Sequence, residues 1–279
     1  MSENSKPYRS FLFVPGSRPE RFEKALHSGA DAVILDLEDA VAPEDKEGAR
    51  QTIAAWLAPE RAILVRINPA STPWYEQDAQ LGKLRGVAGI VLPKAESARD
   101  VTDLISRIKR QVPVYPLIES AKGMWNALEI ARAPCVHQLM FGTLDFGADM
   151  NMETDGDSLD TFRAQLTMIS RVADIHAPID GVTPSIDDAE LLQAETIKAK
   201  RFGFAGKLCI HPRQVSIVNR TFAPGESELA WARRVLHAFG SANGAAVAVD
   251  GKMVDRPVIL KAQSILDADR STRSGTDAV

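Results

Sequence analysis

A chain of 279 residues accommodates one large α/β domain or two small ones, and 45% apolar with 25% charged residues suits a globular protein with a sizeable core. Lys and Arg number 33 against 37 Asp and Glu, a net charge of −4 with no basic block, which argues against nucleic acid or an anionic membrane as partner. The two cysteines, Cys135 and Cys209, lie in separate apolar segments without a second ligand at metal spacing and read as free thiols of a reducing compartment. The opening residues MSENSKPYRS lack a signal-peptide layout and no apolar run reaches membrane length, so a cytoplasmic location is expected.

In chain order, the apolar run Phe11–Val14 is followed by a helix over Pro19–Ser28 that opens with Pro and Glu and closes at Gly29. The run Ala32–Asp36 precedes a helix starting near Pro43, with an acidic first turn (Glu44, Asp45) and Ile53, Trp56 and Leu57 on its inner face. Ile63–Ile67 and Ala88–Leu92 come next, and Ser97 caps a helix with Val101, Leu104, Ile105 and Ile108 at helical spacing. Val114–Ile118 and Gln138–Phe141 follow. Then come a helix over Ser158–His176, the run Ile179–Val182, a helix over Asp187–Phe202 and the run Lys207–Ile210. Continuous apolar runs suit parallel strands covered on both faces. Eight of them alternating with helices are the arithmetic of an α/β (β/α)8 TIM barrel; a doubly wound open sheet is the alternative, which the regular spacing disfavours.

The barrel is expected over residues 1–224. Beyond it, Glu226–Phe239 reads as another helix, and Ala245–Val249, the turn Asp250–Gly251 and Met253–Leu260 as a short hairpin leading into a last helix. This C-terminal appendage, 225–266, is too small to bury its own apolar face and is expected to pack on the barrel or on a neighbouring subunit. The polar tail, 267–279, is expected to be disordered.

A TIM barrel carries its active site at the C-terminal ends of its strands. There the sequence places Asp36, Glu38 and Asp39 after strand two, Arg66 after strand three, Lys94 after strand four, Glu119 after strand five and Asp145 after strand six. Carboxylates gathered in a partly dry mouth raise one another's pKa or recruit a cation. With no His–Cys cluster beside them, hard oxygen ligands fit Mg²⁺, and Glu119 and Asp145, on neighbouring strands, are the best pair to hold it. Glu38 and Asp39 are better placed to hold its waters. The plainer roles are that Asp36 and Glu38 cap the following helix and that Glu119 pairs with Lys94. Arg66 suits a bidentate hold on a substrate carboxylate, with an ion pair to Asp36 or Glu38 as the alternative. Arg18, Arg21 and Lys24, at a helix N-terminus, could meet a phosphate-bearing substrate or form a solvated face. His211 reads as a local hydrogen-bonding residue. No dinucleotide fingerprint, phosphate-binding P-loop or nucleophile elbow occurs.

The segments RSFLFVPGSRPERFEKAL, GADAVILDLEDAVAPEDKEGAR, VRINP, GIVLPKAES, PLIESAKG, GFAGKLCIHPRQ and GKMVDRPVILKAQSIL resemble, in the same order over residues 9 to 266, the HpcH/HpaI aldolase/citrate lyase family, nearest to citrate lyase beta-like proteins. The resemblance implies a TIM barrel and a homo-oligomer, trimeric or hexameric. It further implies Mg²⁺ on Glu119 and Asp145, metal waters ordered by Glu38 and Asp39, and substrate contact through Arg66. Asp255 of the appendage would be carried into a neighbouring subunit's site; its plainer role is a turn residue before Pro257. Where many relatives have Glu before the metal-binding Asp, this chain has Leu144, which bears on citryl-CoA specificity, and an acidic insertion, Asn151–Asp160, follows. The implied activity is Mg²⁺-dependent cleavage of a carbon–carbon bond in a malyl-, citramalyl- or citryl-CoA, giving a 2-oxo acid and an acyl-CoA. Alternatives are a malyl-CoA-type thioesterase, or a beta subunit active only within a lyase complex.

Overall fold

The computed structural model describes residues 8–241 and 247–273. In chain order these form β1 (Ser10–Pro15), α1 (Phe22–Leu26), β2 (Ala32–Asp36), α2 (Lys46–Trp56), β3 (Ile63–Arg66), α3 (Tyr75–Ala79), β4 (Val87–Leu92), α4 (Ala98–Ile108), β5 (Val114–Ile118), α5 (Ala121–Trp125), α6 (Ala127–Ala131), β6 (Gln138–Phe141), α7 (Thr143–Met150), α8 (Asp160–Val172), β7 (His176–Asp180), α9 (Ala189–Arg201), β8 (Gly206–Cys209), α10 (Pro212–Phe222), α11 (Glu226–Ser241), β9 (Val247–Val249), β10 (Lys252–Val254) and α12 (Arg256–Arg273). Strands β1 to β8 close into a parallel barrel, β8 returning to pair with β1, so the (β/α)8 expectation holds and the open sheet does not. Two compact units result, Tyr8–Asn219 and one beginning at Arg220, a few residues ahead of the expected boundary.

Every residue of β2, β3, β5, β6 and β8 is buried. One face of each fills the barrel and the other lies beneath helices, which is why the apolar runs are continuous rather than alternating. Phe11, Ile34, Leu64, Val91, Tyr115 and Met140 are among the side chains that pack the interior. Gly89 makes room for one of them: a Cβ there would sit 2.6 Å from Tyr115 Cε2 and 2.9 Å from Leu64 Cδ2. On the outside, α4 buries Val101, Leu104 and Ile108, and Asp100 accepts from the Ser97 amide at 2.9 Å to close its first turn.

Four expectations need correction in extent. The helices expected from Pro19 and Pro43 begin as 3₁₀ turns, Pro19–Arg21 and Pro43–Asp45, and Leu57 has already left α2 in an extended conformation. The helix expected to reach His176 stops at Val172; Asp174 turns the chain with φ 55°, and His176 opens β7 by pairing with Gln138. The seventh strand, expected at Ile179–Val182, starts earlier and ends earlier, at His176–Asp180; its Asp180, fully buried, is held by Arg163 Nε at 3.0 Å and Lys207 Nζ at 3.3 Å.

In the second unit, β9 and β10 pair antiparallel around Asp250–Gly251, whose φ values of 51° and 75° give the two left-handed positions of a tight hairpin turn. Ala232, Val235, Val254 and Ala262 form its small core. The expected first arm includes Ala245, outside the described residues. The expected disordered tail begins at Asp267, but α12 continues to Arg273; residues 274–279 lie outside the described residues. Among the described residues no helix is long and apolar enough to cross a membrane, and Cys135 and Cys209 are free thiols.

Candidate active site

Side chains alternate faces along a strand, so the residue two beyond an inward core position also points inward. Ile34 and Leu64 fill the barrel, and Asp36 and Arg66 follow them at the rim; Leu117 leads likewise to Glu119, and Met140 to Gly142. Asp36, Arg66, Leu117, Glu119 and Gly142 line a cavity of about 340 Å³ at the C-terminal ends of the strands. Asp39 reaches the same cavity from the loop after β2, and Asp145 from the first turn of α7.

Register decides what Arg66 does. Asp36 and Arg66 are partners on the last rung between β2 and β3. The guanidinium grips Asp36 with both prongs, Nε to Oδ1 at 2.7 Å and Nη2 to Oδ2 at 2.6 Å. Its Nη1 lies 2.9 Å from Glu38 Oε2 and 3.4 Å from Asp39 Oδ2, and the group stacks 4.7 Å above the Phe13 ring. Burial alone would lower the Arg66 pKa; Asp36, Glu38 and Asp39 outweigh it and raise the pKa above its ordinary value. The fork expected to grip a substrate carboxylate is therefore filled by Asp36, and a ligand at the Nη1 side would share it with Glu38 and Asp39. Asp36 also accepts from the amides of Glu38 at 2.9 Å and Ala40 at 3.2 Å, so it caps the turn as well.

Glu119 is buried and accepts from the backbone amide of Lys94 at 2.7 Å, so the main chain of Lys94 makes this contact. Lys94 itself adopts a left-handed φ of 49°. Burial, then Glu38, then Asp145 push the Glu119 pKa up to about 8 against the pull of the Lys94 amide and of Arg66. Gly142 leaves the space that the carboxylate occupies: a Cβ there would stand 2.5 Å from Glu119 Cβ and 2.6 Å from Oε2. Asp145 is exposed to the cavity in the first turn of α7. Burial likewise raises Glu38, to about 7, with Arg66 opposing and Asp39 and Asp36 adding to the rise. Although close to Arg66, Glu38 Oε2 is sealed from solvent without a well-directed hydrogen-bond donor.

Two residues that hold the loop after β2 have no sequence signal. Lys46, buried, donates to the carbonyls of Leu37 and Glu38, both at 2.8 Å, and burial lowers its pKa. Asn68 donates to the Leu37 carbonyl at 2.9 Å and to Asp78 at 2.6 Å. Other expected site residues are not drawn in. Arg18 pairs with Glu20 at 2.6 Å on the surface, Lys24 is exposed, and neither lines the cavity. His211 accepts from the Arg213 amide at 3.2 Å, a local role as expected. Asp255 belongs to the second unit, where its carboxylate accepts from Val258 N at 3.2 Å at the start of α12. In the insertion after α7, Lys198 anchors Gly156 O at 2.6 Å and Asp157 at 2.5 Å.

The donor set fits a hard divalent cation: carboxylate oxygens, an under-bonded Glu38 oxygen nearby, and no imidazole or thiolate in the cavity wall. Among the described residues no cage of three or more His, Cys, Asp or Glu is assembled. Glu119 and Asp145 alone leave most positions to water and substrate, as Mg²⁺ commonly does.

A closed (β/α)8 barrel with an acidic, oxygen-only mouth and one buried arginine defines a class of barrel enzymes that work on small oxyanionic substrates. The chain belongs to the HpcH/HpaI aldolase/citrate lyase family, whose model matches residues 9–212. A citrate lyase subunit beta-like protein of Mycobacterium tuberculosis is 40% identical over 265 residues, 92% of this chain and 93% of the relative. A (3S)-malyl-CoA thioesterase of Cereibacter sphaeroides is 34% identical over 275 residues, 95% of this chain and 96% of the relative. The crystal structure of CitE from Mycobacterium tuberculosis in complex with magnesium, acetoacetate and coenzyme A matches with a TM-score of 0.83 and 36% identity, covering 94% of this chain and 98% of that one.

Proposed function

We infer that this chain is a Mg²⁺-dependent carbon–carbon lyase acting on a 3-hydroxyacyl-CoA that carries a carboxylate, and that it releases a 2-oxo acid and an acyl-CoA. The observation that carries this reading is the convergence of buried Glu119 and exposed Asp145 on one cavity, beside an arginine held by three carboxylates.

Glu119 and Asp145 are assigned to hold Mg²⁺. The chemistry a bound Mg²⁺ supplies is Lewis-acid polarisation of the substrate's hydroxyl and carboxylate oxygens. Glu38 and Asp39 orient water beside the two ligands, and the pKa of about 7 lets Glu38 take or give a proton near neutrality. Cleavage removes the hydroxyl proton, forms the 2-oxo group and leaves the bonding electron pair on the thioester α-carbon, which is then protonated; Asp255, from a neighbouring subunit, is assigned that last transfer. Arg66 Nη1 faces the developing charge. Arg18 and Lys24, outside the cavity, are assigned to the phosphates of CoA. A homo-oligomer, trimeric or hexameric, and a cytoplasmic location complete the reading.

The test is 2-oxo acid release from malyl-, citramalyl- and citryl-CoA with and without Mg²⁺, comparing wild type with Asp145→Ala. Metal-dependent release that falls at least about a hundredfold in the variant is expected. Intact thioesters with the wild type would reject a free-standing lyase. The thioesterase relatives, at 34% identity, favour a second reading in which the thioester is hydrolysed; free CoA without a 2-oxo acid would mark it. Activity restored only by further subunits would mark a beta subunit of a complex.

A further inference from the structure

The cavity joins charge to hydrocarbon. From β2 and β3 come Asp36, Asp39 and Arg66, and from the ends of β5 and β6 Glu119 and Asp145. Most of the remaining lining is hydrocarbon: Phe13 of β1, Leu117 of β5, Phe141 of β6, Val182 beyond β7, Leu208 of β8, and Leu144, which precedes Asp145 in α7 and is 44% exposed. Of the described residues lining the cavity, Arg66 is the one cation, and Asp36, Glu38 and Asp39 already surround it. Lys94, the other nearby cation, is close enough to Glu38 to lower its pKa but contributes nothing to the wall.

A substrate whose hydroxy-carboxylate end lies at Glu119 and Asp145 must place the remaining substituent of its carbinol carbon against the rest of this lining. Near Asp36 and Asp39 a second carboxylate meets like charges; against the apolar residues it is left desolvated without a partner. An alkyl group meets neither penalty against the apolar residues, and gains burial there.

We propose that the site selects thioesters whose carbinol carbon bears an uncharged alkyl group, so that the oxo acid released is an alkyl monocarboxylate, and that Leu144 is a specificity-determining residue for it. This rests on the lyase reading above. The reaction is redox-neutral: the bond between the carbinol carbon and the thioester α-carbon breaks, the hydroxyl proton departs to a base, and the α-carbon gains a proton.

Citramalyl-CoA and citryl-CoA make the pair of probes, since they differ only in methyl against carboxymethyl at the carbinol carbon. With Mg²⁺ present, wild type is expected to favour the methyl compound in kcat/KM by about a hundredfold or more. Leu144→Arg should narrow that ratio at least tenfold, chiefly by improving the carboxymethyl compound, whereas Leu144→Met should preserve it. Calorimetric binding of the oxo acids gives a readout independent of turnover: 2-oxobutyrate should bind wild type more tightly than oxaloacetate, and Leu144→Arg should reverse the order. Equal or better cleavage of citryl-CoA by wild type overturns the selectivity while leaving the lyase reading intact. Cleavage of neither probe overturns the lyase reading, and the binding order then decides the wall: tighter 2-oxobutyrate supports the proposal, tighter oxaloacetate rejects it.

Discussion

Glu119 is a carboxyl group whose charge the protein discourages until a cation arrives. Its pKa of about 8, set first by burial and then by Glu38 and Asp145, keeps it largely protonated at pH 6.5. In the proposed role of Glu119 as a Mg²⁺ ligand the carboxylate form is required, so binding would expel that proton, and affinity should rise by up to about tenfold per pH unit below pH 8 and then level off. Calorimetry in two buffers of different ionisation enthalpy, at pH 6.5 and 8.5, measures this directly. Close to one proton released at the lower pH and little at the higher is expected, and Glu119→Gln should abolish the difference. A pH-independent affinity would mean that Glu119 is already ionised. At this scale the sequence was informative where counting along a strand suffices: Glu119 sits two residues beyond inward Leu117, and Arg66 two beyond Leu64. It left alternatives open where the answer depends on a neighbouring strand. An ion pair of Arg66 with Asp36 or Glu38 stood beside the substrate grip, and nothing in the Arg66 segment says that β2 lines up to place Asp36 on the same rung and fill the fork.

At the scale of the element, the turn from β6 into α7 is shaped around its neighbour. Gly142 has an unremarkable φ of −85°, so its lack of a side chain answers to space and not to backbone strain. Gly142→Ala should leave the barrel folded but push Glu119 off its position, because the clash at 2.5 Å is with Cβ and not with a mobile tip. Mg²⁺ affinity is expected to fall at least tenfold, with about 1–3 kcal/mol lost in stability; unchanged affinity with an intact melt would show that the carboxylate has room to spare. Strand extents followed composition. β2 and β5 were legible to the residue, whereas β7, spelled HAPID, was legible only from Ile179 onward, its His176 reading as the end of the preceding helix. Lys46 was missed for a related reason: a lysine in a helical segment reads as a solvated residue until the fold buries it against two carbonyls.

For the whole molecule, acid tolerance follows from groups at the opposite end of the barrel. His137 lies between the Tyr115 and His176 rings, at 5.3 and 4.3 Å between centroids, and burial followed by the His176 charge lowers its pKa to about 4. The unfolded chain, with an ordinary histidine pKa near 6.5, binds that proton first. Stability from this group is therefore complete above pH 6.5 and declines as the pH falls toward 4. Thermal melts between pH 7 and 4.5 should show a falling Tm whose slope is reduced in His137→Phe; an unaltered slope would assign the acid sensitivity to other groups. The closed barrel was legible because eight strands at regular spacing admit few architectures.

The rung that joins Asp36 to Arg66 has a bearing on how this scaffold can change. It is part of the barrel wall and of the cavity at once, so a library randomised at either position searches folding and chemistry together, and an inactive clone reveals neither. Leu144 and Val182, apolar residues of the same cavity, carry no charge and offer recognition alone to selection. New substrate ranges should thus be reached through such apolar lining positions, by steps small enough for the scaffold to survive each one.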